Sequence, residues 1–354
     1  MDRVYQKGIV VERIQGERKI YLDIAKGIGI LLVVLGHCPL VYNPLKQWIY
    51  SFHMPLFFFV GGMVWNKVSH EKKGYFTRRF LLDKAKRLLI PCFIWGVFYS
   101  LADAFLNGSF SLKTIAYLLY GSQAGFQRAG SLTSLWFLPC MFLSVCAFEV
   151  VQQLLSKQKY QSTILFSVSV VFAVAGLFLP VARHGYPWSV DVASLATAFM
   201  MWGCLTAKWV QDMSNKKLLS LIPLLLLALI ISMTFVLNLQ YVSINNVDLA
   251  GRYFGNRALY LLDAIAGSAF VLLLAIALLN SKSLAACFAF IGRKTIPILV
   301  IHKPIVQALN RIGNMLGMPN VISVIISVAA ATVISIFVYL LVRKIMPIAF
   351  GESR

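Results

Sequence analysis

The sequence predicts an all-α, polytopic integral membrane protein with about ten transmembrane helices and both termini in the cytoplasm. Three observations carry that expectation. Of the 354 residues, 59% are hydrophobic and only 13% charged, about half the charge of a soluble chain. Apolar runs near twenty residues recur along the whole length, the number a helix needs to cross a bilayer core. Lys and Arg total 33 against 13 acids, and the basic residues gather between the runs, where they report topology rather than nucleic-acid binding. A soluble enzyme, a disordered chain and a disulfide-stapled scaffold are thereby excluded.

The runs lie near 24–40, 48–65, 88–106, 135–155, 162–181, 191–207, 218–237, 260–280, 295–310 and 320–342. Lipid offers no partner for unpaired amides, so each is expected to be helical. The first follows a polar stretch, as a signal peptide would, but it carries Lys26 and lacks an A-x-A cleavage site. It is expected to be retained. With the N-terminus inside, 24 of the 33 basic residues fall on inner segments and 7 on outer ones, with Lys26 and Lys303 inside runs. An odd number of spans would spoil that split. The chain thus divides into a cytoplasmic segment 1–23, one transmembrane domain 24–342 and a cytoplasmic tail 343–354. The stretch 281–294 reads as an inner segment, whereas 107–134 and 238–259 read as outer segments able to cover a pocket or to enter the membrane partway. No internal repeat is evident. Cys38, Cys92, Cys140, Cys146, Cys204 and Cys287 show no metal-ligand spacing and read as buried small hydrophobes.

Charged groups inside apolar runs are costly, so each is a candidate for function. In Leu22-Asp23-Ile24-Ala25-Lys26-Gly27, continuing to Gly36-His37, Lys26 and His37 are eleven residues apart. That is three turns plus about 20°, so both share one helix face, separated by roughly 16 Å of rise. Asp23 is within reach of the same stripe. The structural alternative has Lys26 snorkelling beside Asp23 and His37 capping the helix. In Ser51-Phe52-His53-Met54-Pro55, His53 lies beside the outer end of the first run and can share a cavity with His37. Two histidines without a carboxylate or thiolate set make a poor zinc site, and no metal is expected.

The most basic loop contains Lys67, Lys72, Lys73, Arg78, Arg79, Lys84, Lys86 and Arg87. Such a cluster suits anionic lipid headgroups or a polyphosphate ligand such as coenzyme A. Further polar residues of note are Trp136 in Leu135-Trp136-Phe137-Leu138-Pro139, Glu149, Asp191, Asp263 and His302 beside Lys303. Structural satisfaction is the alternative for each.

These pieces, taken in order, resemble the acyltransferase-3 membrane family and its fucose-4-O-acetylase-like branch. The carrying blocks are Tyr21 through His37, which fits the family's Arg/Lys-x10-His signature, then Ser51 through Phe59, Lys84 through Pro91, Leu135 through Pro139, and Ile291 through His302. Gly61 stands where the family often has Ser before a glycine, and no soluble esterase-like domain follows in this sequence. The resemblance implies a plasma-membrane O-acetyltransferase that moves an acetyl group from cytoplasmic acetyl-CoA to a carbohydrate hydroxyl. His37, Lys26 and Asp23 would be its catalytic residues. Lys84, Arg87, Arg78, Arg79 and Lys86 would hold the CoA phosphates, and His53, Trp136, Asp191 and His302 would meet the acceptor. A transporter or flippase of a glycan or small anion shares the spans and buried charges, and a non-enzymatic scaffold would tolerate loss of Lys26 and His37.

The charge split generates a direct test. In a cysteine-free background, Lys72→Cys should resist an impermeant thiol reagent applied to intact cells, whereas Arg128→Cys should label strongly. Strong outside labelling at position 72 would invert the topology.

Overall fold

The computed structural model describes residues 20–39, 43–71, 76–108, 112–129, 132–212, 221–241 and 247–352. The first nineteen residues of the expected cytoplasmic segment lie outside these, as do Lys72 and Lys73 of the basic loop. Among the described residues the chain is all helical, without strands; a single bridge joins Asp248 to Tyr253. The helices are α1 (Ile20–Gly36), α2 (Asn43–Glu71), α3 (Arg78–Asn107), α4 (Leu112–Tyr120), α5 (Gln123–Arg128), α6 (Phe137–Leu155), α7 (Gln161–Phe178), α8 (Val190–Asp212), α9 (Leu221–Leu239), α10 (Arg257–Leu278), α11 (Lys282–Gly292), α12 (Thr295–Met315) and α13 (Asn320–Ile345).

Each of the ten apolar runs falls on one of the longer helices. Among the described residues, seven of these are long and apolar enough to cross a membrane, or eight if the bent pair α11–α12 forms one span. The stretch 281–294 is mostly helix α11, which meets α12 at a bend of 78°. The stretch 107–134 holds α4, α5 and a 3-10 turn, Thr133–Trp136.

Local chemistry sets the helix ends. The Thr77 hydroxyl accepts from the Phe80 amide at the start of α3, and Gly108 ends that helix in the left-handed region at φ 66°. Asn256 caps α10 by accepting from the amides of Ala258 and Leu259. The tail is not loose. A 3-10 turn, Pro347–Phe350, docks on α3, where the Trp95 indole donates to the Ala349 carbonyl at 3.0 Å. Tyr339 then donates to Glu352 at 2.5 Å, and Glu352 pairs with Arg343 at 3.6 Å.

Helix α1 is central, packing against α2, α10, α11, α12 and α13. Lipid tails are as apolar as leucine, so close steric fit of small residues holds such helices together. At the α1–α11 crossing the backbones touch. A Cβ on Gly27 would lie 2.1 Å from the Phe288 carbonyl oxygen, and one on Gly292 would lie 1.7 Å from that of Asp23. Neither obstacle is a side chain that can turn away. Gly292→Leu should therefore force the two helices apart and cost about 3 kcal/mol or more, beyond the usual overpacking range. A lowered unfolding temperature of the detergent-solubilised protein is the expected reading; an unchanged one would mean the helices do not cross here.

Candidate active site

The site is built from side chains of three helices, α1, α2 and α12. His37 follows the last turn of α1, and its Nδ1 lies 3.0 Å from the Val33 carbonyl. His53 on α2 makes the same contact with Ile49 at 2.8 Å, and His302 on α12 with Ile298 at 2.8 Å. A carbonyl can only accept, so each Nδ1 carries the hydrogen and each Nε2 keeps its lone pair. Three histidines are thus held in one tautomer by their own helices. The His37 and His302 rings meet edge to face, with centroids 5.0 Å apart. The Tyr50 ring stands 4.8 Å from His53 and 6.4 Å from His37.

His37, His53, Tyr50, Lys46, Trp136 and Asp248 line a cavity of about 260 Å³, with Gln123, Gln127 and Thr133 on a further wall. His302 lies behind it, wholly buried. Its Nε2 has no hydrogen-bond partner among the described residues. An unsatisfied buried group costs about 1–3 kcal/mol, so this nitrogen is kept at a price.

The acyltransferase-domain family profile matches residues 19–340, nearly the whole chain. The chain belongs to the acyltransferase-3 family. Among curated proteins, it is similar to the nodulation protein NolL of Sinorhizobium fredii (strain NBRC 101917 / NGR234), 29% identical over 218 residues, covering 57% of this chain and 52% of the relative. It is also similar to NolL of Mesorhizobium japonicum (strain LMG 29417 / CECT 9101 / MAFF 303099), 26% identical over 185 residues, 48% of this chain and 46% of the relative. The matched segments span about half the length of these relatives. No solved structure matches.

In this acyltransferase-3 member, the residues that the sequence singles out fall into separate groups. His37, His53, Trp136 and His302 come together at one end. Asp191 is next door, in an adjoining cavity, and its carboxylate is already engaged by Arg252 at 3.5 Å. Lys26 pairs with the buried Asp23 at 2.7 Å, far down α1 from His37. Lys84 does not stand with its neighbours: its ammonium lies over the rings of Trp65 and Phe80, 5.0 and 5.4 Å from their centroids. Arg78, Arg79, Lys86 and Arg87 are exposed. Glu149 is buried, and Asp263 is wholly buried and accepts from the Thr234 hydroxyl. Of the cysteines, two depart from the expected burial: Cys287 is exposed on α11 and Cys146 is only half-buried. No group of three His, Cys, Asp or Glu among the described residues is arranged to hold a metal ion.

Sequence reading missed Tyr50, Lys46, Gln123, Gln127 and Asp248. Tyr50 had a signal, since it precedes His53 by three residues and shares its helix face. Asp248 had almost none. Its carboxylate accepts from the Ala250 and Gly251 amides at 3.1 and 3.0 Å. Burial pushes that carboxyl above its ordinary range, against the pull of these amides and of Lys46.

The segment carrying Asp248 is pinned by Arg252. Its guanidinium donates to the carbonyls of Gly176, Leu179 and Pro180 at the end of α7, at 3.0, 2.6 and 3.2 Å, as well as facing Asp191. Four acceptors offset its desolvation. Arg252→Ala would orphan those carbonyls and leave Asp191 a buried charge alone, which typically costs about 3–5 kcal/mol. Denaturant or thermal unfolding should show the loss, and adding Asp191→Asn should recover part of it.

Proposed function

We propose that this protein is an integral membrane O-acyltransferase that moves an acetyl group from cytoplasmic acetyl-CoA to a hydroxyl of a cell-surface or lipid-linked carbohydrate. The observation that carries the reading is the His37–His302 pair beside a cavity, in a chain of this family. The resemblance to the fucose-4-O-acetylase-like branch and the nodulation proteins among its relatives favour a sugar acceptor.

His37 is the base. Its Nε2 takes the proton of the acceptor hydroxyl as the oxygen attacks the acyl carbon. His302 stands against this ring, edge to face with centroids 5.0 Å apart, and holds its orientation toward the acceptor. As the new carbon–oxygen bond forms, the carbon–sulfur bond of the thioester breaks, and the proton goes to the departing thiolate. A two-step transfer through acyl-His37 would use the same nitrogen; trapping labelled acetyl on His37 without acceptor separates the routes.

Donor chemistry suits the other end. Arg78, Arg79, Lys86 and Arg87 on the first turns of α3 are exposed cations fit for the phosphates of coenzyme A. Lys84 supports them from its seat on Trp65, and the docked tail brings Arg343 to that end, while Lys294 donates to Tyr339 at 2.9 Å. Lys26 belongs with this group. About 16 Å of continuous helix separates it from His37, too far to polarise a thioester under attack there, so its part is to meet the donor while Asp23 holds it.

Purified protein with labelled acetyl-CoA tests the reading, since only an acyltransferase consumes donor; a transporter or scaffold leaves it intact. His37→Ala should cut transfer ~100–10,000-fold without unfolding the protein. His302→Ala should lower turnover less and shift its pH profile, and near-normal turnover in His37→Ala with loss in His302→Ala would exchange their roles. Replacing Arg87 and Lys84 together by Gln should raise the acetyl-CoA concentration needed for half-maximal rate. Unchanged donor dependence would leave both as lipid contacts.

A further inference from the structure

Beside the histidine cavity lies a larger one of about 410 Å³, and the two share Gln123, Gln127, Ala250 and Tyr253 as a common wall. Resting on the transfer reading above, we propose that this larger cavity is the acceptor subsite and that it takes an anionic carbohydrate, whose carboxylate or phosphate lies against Arg128 and Arg183.

Charge is the first support. The larger cavity is lined by Arg128, Arg183 and Arg252 against one carboxylate, Asp191. Arg252 and Asp191 neutralise each other at 3.5 Å, which leaves two guanidinium groups without a counter-ion in the wall. Among the described residues, Arg128 bonds the His184 Nδ1 at 2.5 Å and the Arg183 carbonyl at 2.8 Å, and no carboxylate. A guanidinium offers paired donors that match a carboxylate or phosphate, which a neutral hydroxyl does not reward.

The rest of the lining suits a sugar. Gln123 and Gln127 offer amide donors and acceptors for hydroxyls, and the rings of Tyr186 and Tyr253 offer flat faces. Since both glutamines also line the histidine cavity, a sugar held there can present a neighbouring hydroxyl to His37.

Backbone strain is the independent support. Among the described residues, the non-glycine positions with positive φ are Trp188 at 52°, Ser189 at 55° and Arg252 at 60°. Ser189 and Arg252 line this cavity, and Trp188 adjoins it. Such conformations persist only where surroundings over-determine them, and they gather at ligand sites. Here the restraints are visible: the Trp188 indole donates to Leu119 at 3.1 Å, the Gln123 amide to the Ser189 hydroxyl at 3.0 Å, and Arg252 is tied to three carbonyls. The wall is built rigid, unlike a chance dent between loops at a lipid surface.

Direct binding to the purified full-length chain tests this without needing transfer. The probes are maltotetraose as a neutral glycan, hyaluronan tetrasaccharide for a uronate, glucose 1-phosphate for a sugar phosphate, and farnesyl diphosphate for the diphosphate of a lipid carrier. The hyaluronan or phosphate probe should bind at least tenfold more tightly than maltotetraose, and the advantage should shrink with salt. Arg128→Gln with Arg183→Gln should abolish it. Arg183→Gln alone should weaken it several-fold, which keeps the test valid if losing the Arg128 bonds disturbs the fold. Farnesyl diphosphate binding with the same arginine dependence would place the anion on the carrier linkage rather than on the sugar. Equal binding of neutral and anionic glycans, or anion binding indifferent to both arginines, would overturn the proposal. Probe binding with this arginine dependence, in a protein that consumes no acetyl-CoA, would instead sink the transfer reading and leave the subsite standing.

Discussion

The backbone contact between α1 and α11 is the constraint on which the site depends. In a bilayer no hydrophobic force drives two helices together, so fit at small residues decides where they sit. Gly27 and Gly292 let the main chains meet, and that contact fixes both rotation and height. His37 stands ten residues beyond Gly27, and His302 ten residues beyond Gly292, past the 78° bend. Both chains run from the contact toward the same end of the bundle, so the two rings arrive side by side, 5.0 Å apart. The same contact holds Asp23 and Lys26 at the opposite end. A change that lifts α11 from α1 therefore disturbs both ends of the proposed reaction path together.

Polar groups are made affordable by different means at the two ends. Around the cavities, backbone carbonyls take up most of the demand: the three histidines each return a hydrogen to their own helix, and Arg252 closes the open end of α7. Asn238 adds to this by donating to the Phe254 carbonyl at 3.1 Å and accepting from the Asn256 amide at 2.7 Å. These bonds cost few charges and leave the segment 247–256 rigid. At the other end the basic residues remain largely exposed, where water and anions meet their demand. A centre held by backbone hydrogen bonds at one end and an exposed, cationic one at the other is what the proposed transfer asks for.

His302 illustrates how an apparent flaw fits the proposed chemistry. A buried imidazole nitrogen without a partner is a loss in the resting protein. In the proposed mechanism it belongs to the ring that stands edge to face against His37, with centroids 5.0 Å apart, and so orients the base.

The sequence by itself determined the helical membrane architecture, the ten apolar runs, and the stripe bearing Asp23, Lys26 and His37, because hydropathy and the 3.6-residue period are local properties that need no partner. It marked His53, Trp136 and His302 as misplaced polar or aromatic residues, since the cost of such groups in lipid is also local. Only the tertiary structure decided which of them meet. That His37 touches His302, that Lys84 leaves its basic neighbours for Trp65, and that Asp191 is spoken for by Arg252 all depend on pairs 61 to 265 residues apart, or on Lys84 and Trp65 on different helices. The bend after Gly292 and the fold of 247–256 are likewise products of packing: α11 is helical whether it lies in a loop or in a broken span, and nothing in its period says where it turns.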